Sequence, residues 1–157
     1  MGDKDIRKRS TIPEGHITSS AIILSPDGGN VLMVAHKKLG IWVVPGGHYD
    51  IKDGKITKTP VREAQEEVGL DGLQLHPWHA AHDDVPIDID THVIPANTTK
   101  NEGEHPHFDF RYVVIASPDQ PIEIQEAEVD EFRWVPVGEI TYDISVYPAI
   151  QKLGLIA

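Results

Sequence analysis

Arg62-Glu63-Ala64-Gln65-Glu66-Glu67-Val68-Gly69-Leu70 is the stretch on which the reading of this chain turns. An α-helix advances about 100° per residue, so Glu63, Glu66 and Glu67 project from one face roughly 100° wide. Val61, Ala64 and Val68 point the opposite way. Three carboxylates packed so closely repel one another, and a hard divalent cation such as Mg2+ relieves that repulsion. A solvated amphipathic helix would show the same pattern, so the flanks decide. Upstream, Trp42-Val43-Val44-Pro45-Gly46-Gly47-His48 is an apolar run closed by a turn at which backbone must lie close to something. Downstream, Gly69 follows the last helical turn, where a left-handed cap residue is expected.

This succession of strand, Gly-Gly turn, loop, acidic helix and glycine stop resembles the signature of the Nudix hydrolases, Gly-x5-Glu-x7-Arg-Glu-U-x-Glu-Glu-x-Gly-U, with U apolar. Gly47 begins it, and Arg62, Glu63, Ala64, Glu66, Glu67, Gly69 and Leu70 fill its second half without a mismatch. The first half departs from the pattern. Asp53 stands where the signature has Glu, and eight residues rather than seven separate it from Arg62, so the loop is one residue longer. The resemblance implies an α/β fold, a Nudix-type α/β/α sandwich with a mixed β-sheet. It implies Mg2+, with Mn2+ as the alternative, coordinated by Glu63, Glu66 and Glu67, with the Gly46 or Gly47 carbonyl adding a ligand. The implied activity is a Mg2+-dependent pyrophosphohydrolase. Its small-molecule substrate would be a nucleoside diphosphate linked to another moiety: a nucleotide sugar, ADP-ribose or a nucleoside triphosphate. Family members are frequently dimeric, so a homodimer is a further expectation.

Arg62 stays protonated and cannot serve as a base. It is expected either to hold a glutamate through a bidentate bond or to form an ordinary helix ion pair. Family members often recruit another carboxylate from a later segment. In Glu126-Ala127-Glu128-Val129-Asp130-Glu131-Phe132-Arg133-Trp134 the candidate is Glu128, with a solvated acidic edge as the competing reading. Trp134 is expected in the core.

With 157 residues the chain suits one domain, 1–157, in which 1–15 forms a flexible or peripheral segment. No apolar run approaches membrane-spanning length, so no membrane partner is expected. The charged N-terminus lacks the apolar segment of a secretory signal. There are no cysteines, hence neither disulfides nor a thiolate site. A cytoplasmic location is the default. A net charge of −11 argues against nucleic-acid binding, which needs clustered Lys and Arg. Strands are expected over 17–24, 31–35, 41–44, 73–81, 108–116 and 131–135, with helices over 57–68 and 145–153. Pro60 then has to lie in the first turn of its helix. The stretch from about Asp83 to Glu104 reads as a long loop.

A second constellation comprises His92 and the run Glu104-His105-Pro106-His107-Phe108-Asp109-Phe110-Arg111-Tyr112. Strand alternation puts His105, His107, Asp109 and Arg111 on one face. The run resembles one found in a subset of bacterial Nudix proteins, His-x-His-x-Asp-x-Arg-Tyr. Two histidines and a carboxylate at this spacing could bind zinc. The favoured expectation is that His92, His105, His107 and Arg111 contact substrate or pin the loop, because the helix already offers a hard-cation site. Two other readings stand beside the hydrolase. A non-catalytic nucleotide-sensing domain of the same fold would usually lack the glutamates that are present here. An isopentenyl diphosphate isomerase-like enzyme, as the resemblance has it, would need a cysteine acid.

Overall fold

The computed structural model describes residues 4–12, 14–142 and 144–157. An eight-stranded mixed sheet lies between one helix on one face and another on the opposite face. Its spine is β1 (His16–Leu24), flanked by β2 (Asn30–His36) and, in parallel, by β7 (His105–Ile115). The outer strand β3 (Ile41–Val43) and the late strand β8 (Val129–Pro136) both pair with β2, while the short β4 (Gly46–His48) pairs with β1. On the far side, β5 (Gln74–Leu75) and β6 (Asp88–Ile94) both run antiparallel to β7.

Strand alternation sorts the core into two layers. Ala21, Ile23, Leu32, Val34 and Val114 pack against Ala64, Val68 and Leu70 of and just beyond α1 (Thr59–Val68), with Trp134 resting on this layer. Ile22, Leu24, Val31, Met33 and Val113 pack against Ala149 and Ile150 of α3 (Tyr147–Lys152). The α/β/α arrangement and its mixed sheet therefore follow from two apolar rows that share the same strands.

Helix α1 begins after a 3-10 turn at Ile56–Lys58, with Pro60 within its first turn, where no N–H is needed. It stops at Gly69, whose φ of 67° is left-handed and whose N–H donates to the Gln65 carbonyl at 3.0 Å.

Two expectations are corrected. The strand over 73–81 is only Gln74–Leu75, followed by a short helix, α2 (Pro77–Ala80), in which the His76 ring accepts from the Trp78 N–H. The long loop contains β6, which pairs with β7 from Asp88 opposite Arg111 to Ile94 opposite His105. Its pattern is inverted: Ile89 and Val93 are 55% and 59% exposed, while Asp88 and Asp90 turn inward to Arg111. Of the segment 1–15, residues 1–3 and 13 lie outside the described part. The rest makes turns across Asp5–Thr11 with Thr11 buried, and the Ile17 N–H donates to the Ile6 carbonyl. Among the described residues no helix is long and apolar enough to cross a membrane.

At Gly69 a Cβ would meet the Glu123 Cβ at 3.1 Å and the Glu123 carbonyl oxygen at 3.2 Å besides straining a left-handed residue. Gly69→Ala should lower unfolding stability by about 1–3 kcal/mol in urea denaturation. A change below ~0.5 kcal/mol would show that the cap and the strap beyond it contribute little.

Candidate active site

The expected Gly-Gly turn is the strand β4, and the acidic helix meets it at Gly47, where an added Cβ would overlap the Glu63 carboxylate. That close approach is why the strand carries no side chain there. Arg62 organises the surroundings. Its Nε and Nη2 donate to the two oxygens of Asp53 at 2.8 and 3.0 Å, and Nη2 also donates to the His48 carbonyl at 2.9 Å. Nη1 donates to Glu63 at 2.9 Å and reaches Glu66 at 3.4 Å. The bidentate partner expected among the helix glutamates is thus Asp53 in the signature loop. Asp53 also accepts from the Thr59 hydroxyl at 2.9 Å and closes a capping box with Asp50. Burial pushes the Asp53 carboxyl up, but the hydrogen bonds from Arg62 and Thr59 outweigh that and hold it below the usual range. The same pairing raises Arg62 further above its ordinary value.

The glutamate face is less exposed than an acidic helix surface suggests. Glu67 is only 5% exposed, which corrects the picture of a solvated face. Burial, and then the charges of Glu63 and Glu128, push its pKa to about 8, against a small opposing pull from the Gly46 N–H. Burial raises Glu63 as well, with Arg62 working against it. Glu128 arrives on a strap tied to the helix end. The Gln125 N–H donates to the Glu67 carbonyl at 2.8 Å and the Glu123 N–H to the Val68 carbonyl at 3.0 Å. The structure therefore brings Glu128 electrostatically onto Glu63 and Glu67.

Successive strand residues point to opposite faces. Gly47 faces Glu63, so His48 faces the other side of the sheet, where Thr18 is its partner in β1. There its ring lies 4.9 Å from His16 and 5.1 Å from His107, centroid to centroid, and His105 lies 4.8 Å from His16. His92 stands at the rim, 5.6 Å from His107 and bonded to Asp90. A cavity of about 350 Å3 opens here, lined by Arg9, His48, Lys100, Glu102, His105 and His107. Burial, then neighbouring positive groups, lowers His48 to about 3 and His107 to about 4.

Asp109 and Arg111 share this face but not the cavity. Asp109 accepts from Thr18 at 3.2 Å and Ser20 at 2.8 Å. Arg111 reaches Asp88, Asp90 and Asp109 and donates to the Ser145 carbonyl at 2.8 Å. Arg111 thus joins β6, β7 and the segment before α3. His16 and the Asp53–Arg62 pair were not singled out from sequence as functional. A histidine at the start of a strand carries no local signal, whereas Asp53 was marked only as a departure from the signature.

Residues 15–153 match the family profile of the NUDIX domain. The chain belongs to the Nudix family. The probable DHNTP pyrophosphohydrolase of Lactococcus lactis subsp. cremoris (strain MG1363) is 29% identical over 119 residues, covering 76% of this chain. The match spans 61% of that relative's length. The solved dihydroneopterin triphosphate pyrophosphohydrolase of E. coli superposes with a TM-score of 0.66 at 16% identity, over 94% of this chain and 100% of that one. The C. elegans Ap4A hydrolase, in a binary complex, superposes with a TM-score of 0.63 at 14% identity, over 88% and 95%. At these identities the two structures show a shared fold alone.

The raised Glu67 has a consequence for stability. Its ionised form is disfavoured in the fold, so stability present at acid pH is lost as pH rises from about 4.5 through about 8. In chelator-treated protein, Glu67→Gln should melt above wild type by roughly 5 °C at pH 8.5, and the gap should close toward pH 5. Scanning calorimetry across that range checks it; a gap independent of pH would remove the carboxylate as its cause.

Proposed function

We propose that this protein is a pyrophosphohydrolase that uses Mg2+, or Mn2+ in its place, to cleave a phosphoanhydride in a small nucleotide-like substrate. The observation that carries the reading is the buried Glu67, with its pKa near 8 beside Glu63 and Glu128. Such a cluster keeps its charge only if a cation joins it, and the Gly47 turn leaves room against Glu63. Glu63, Glu66 and Glu67, with the Gly47 carbonyl, would hold the ion. When bound it neutralises charge on the phosphate oxygens and lowers the pKa of an attacking water.

The remaining work falls to the chain. Arg62 stays charged and positions Glu63 while fixing the loop through Asp53. Glu128, exposed on its strap, is assigned the receipt of a proton from water. The pocket that His105 lines with Arg9 and Lys100 lies across β4 from the glutamates, and we assign to it any part of the substrate that reaches past that strand. His92 belongs to the rim of this pocket. Among nucleotide sugars, ADP-ribose and nucleoside triphosphates, we favour a triphosphate, and within that class a pterin triphosphate. The support is the name of the Lactococcus lactis relative. An anionic small molecule of this kind belongs to the cytoplasmic pool.

A panel of dihydroneopterin triphosphate, common nucleoside triphosphates, ADP-ribose and a nucleotide sugar, run with and without Mg2+, tests the reading. Metal-dependent release of pyrophosphate from the pterin or nucleoside triphosphates is expected, and no metal-dependent cleavage of any member would sink it. With the best substrate, Glu67→Gln should lower kcat by roughly 10^3-fold.

Glu128 separates from its neighbours in a second comparison. Glu128→Gln should reduce kcat by about 10^2-fold with little change in KM, while Glu126→Gln and Asp130→Asn stay within about twofold of wild type. Equal effects in all three would return Glu128 to the ordinary acidic edge.

A further inference from the structure

Two buried histidines in this chain contrast sharply. His79 is fully buried, yet both ring nitrogens are matched: Nε2 accepts from the Val113 N–H at 2.9 Å, and Nδ1–H donates to the Val85 carbonyl at 2.9 Å. His16 is 2% exposed, and neither of its ring nitrogens has a hydrogen-bond partner. The Thr11 backbone lies close enough to favour a charged ring, but without hydrogen-bond geometry. Leaving a buried polar group unmatched is destabilising, so an imidazole with neither nitrogen satisfied calls for a partner.

The surroundings say what kind of partner. His48 from the end of β4 and His107 from β7 turn toward His16 at the start of β1. The donor nitrogens of the three lie within 4.8 Å of one another. His16 and His107 are direct neighbours across the parallel pairing, and His48 sits one step along on the same face. Asp109, on the same face, is not a ligand in this arrangement, because it is occupied by Thr18, Ser20 and Arg111. His105 is held by the Gly103 carbonyl at 2.7 Å and His92 by Asp90 at 2.9 Å, so both stand beside the triad rather than in it.

We propose that His16, His48 and His107 form a site for a borderline divalent transition metal, Zn2+ being the best match. It is separate from the carboxylate site on the opposite face of the sheet. Three neutral imidazoles suit zinc and not Mg2+, which prefers oxygen ligands. Nitrogens at the 4.8 Å limit would leave a central ion roughly 2.8 Å from each, against about 2.0–2.1 Å for zinc–imidazole bonds. Ring rotations of under an ångström close that difference. His48 and His107 line the cavity, so the fourth position is filled from it by water or an anionic group. Arg9 and Lys100 on the same wall favour the anion, whose charge offsets that of the ion. The metal ties β1, β4 and β7 together behind the Gly-Gly turn. It does not depend on the hydrolase reading.

The test uses full-length untagged protein, stripped with chelator and titrated with Co2+ as the probe. One equivalent should produce the visible d–d absorption of a tetrahedral nitrogen-ligated ion, displaced by Zn2+, and should raise Tm by several degrees. Glu67→Gln should keep the band, while His48→Gln and His107→Gln should weaken Co2+ binding by ~100-fold or more. Absence of the band in wild type overturns the proposal whatever the variants do. So does a band that survives both histidine substitutions, or one lost in Glu67→Gln. A rise in Tm with inorganic phosphate but none with Co2+ would make the cluster an anion site and overturn it too.

Discussion

The Arg62 guanidinium reaches Asp53 through two hydrogen bonds, the His48 carbonyl through a third and Glu63 through a fourth. Three separate pieces of chain, the signature loop, the Gly-Gly turn and the acidic helix, are therefore fixed against one group. Removing one partner of a buried ion pair costs about 3–5 kcal/mol; Arg62 is 31% exposed, so solvent screening brings its own share below that. Geometry matters more than that energy. A glutamate facing a glycine turn at van der Waals range is useful only if turn and helix keep their relative positions, and Arg62 is the group bonded to both.

That clamp also explains how the loop tolerates its irregularity. One additional residue and a shorter acidic side chain change the path between Gly47 and Arg62. The 3-10 turn at Ile51–Asp53, closed by the Asp50 capping box, delivers the Asp53 carboxylate to the guanidinium with bidentate geometry. Thr59 at the start of α1 adds a bond to the same carboxylate, so loop and helix start are joined twice. An acidic side chain that departs from the signature in type and spacing thus still reaches the guanidinium with both oxygens.

What the sequence made legible and what it hid divide along physical lines. The acidic helix, its glycine stop and strands β1, β2, β7 and β8 were readable because each carries a periodic apolar row or a turn residue with a steric reason. Strand β6 was hidden by its inverted pattern, with Asp88 and Asp90 turned inward because Arg111 waits across the ladder. The span 73–81 misled because an apolar stretch broken by His76-Pro77 folds as two strand residues and one helical turn. Burial of Glu67 is not legible locally, since its surroundings include Gly46 and Glu128, both remote in sequence. Asp53 could be marked as unusual, but its partner could be known only from the distance.

The histidine cluster marks the limit of local reading most clearly. His105 and His107 announce themselves by spacing, whereas His16 and His48 reach them only through the pairing of β1 with β7 and of β4 with β1. The same alternation that aims Gly47 at Glu63 aims His48 at His16, so a single three-residue strand serves both faces of the sheet. Burial then acts in opposite senses on the two sides. It raises Glu67 and Glu63 toward neutrality and keeps His48 and His107 neutral well below physiological pH. One face carries the carboxylates to which we assign a hard cation, and the other carries the neutral imidazoles to which we assign a softer one. β4 is the wall they share, with Gly47 against Glu63 on one face and His48 among the histidines on the other.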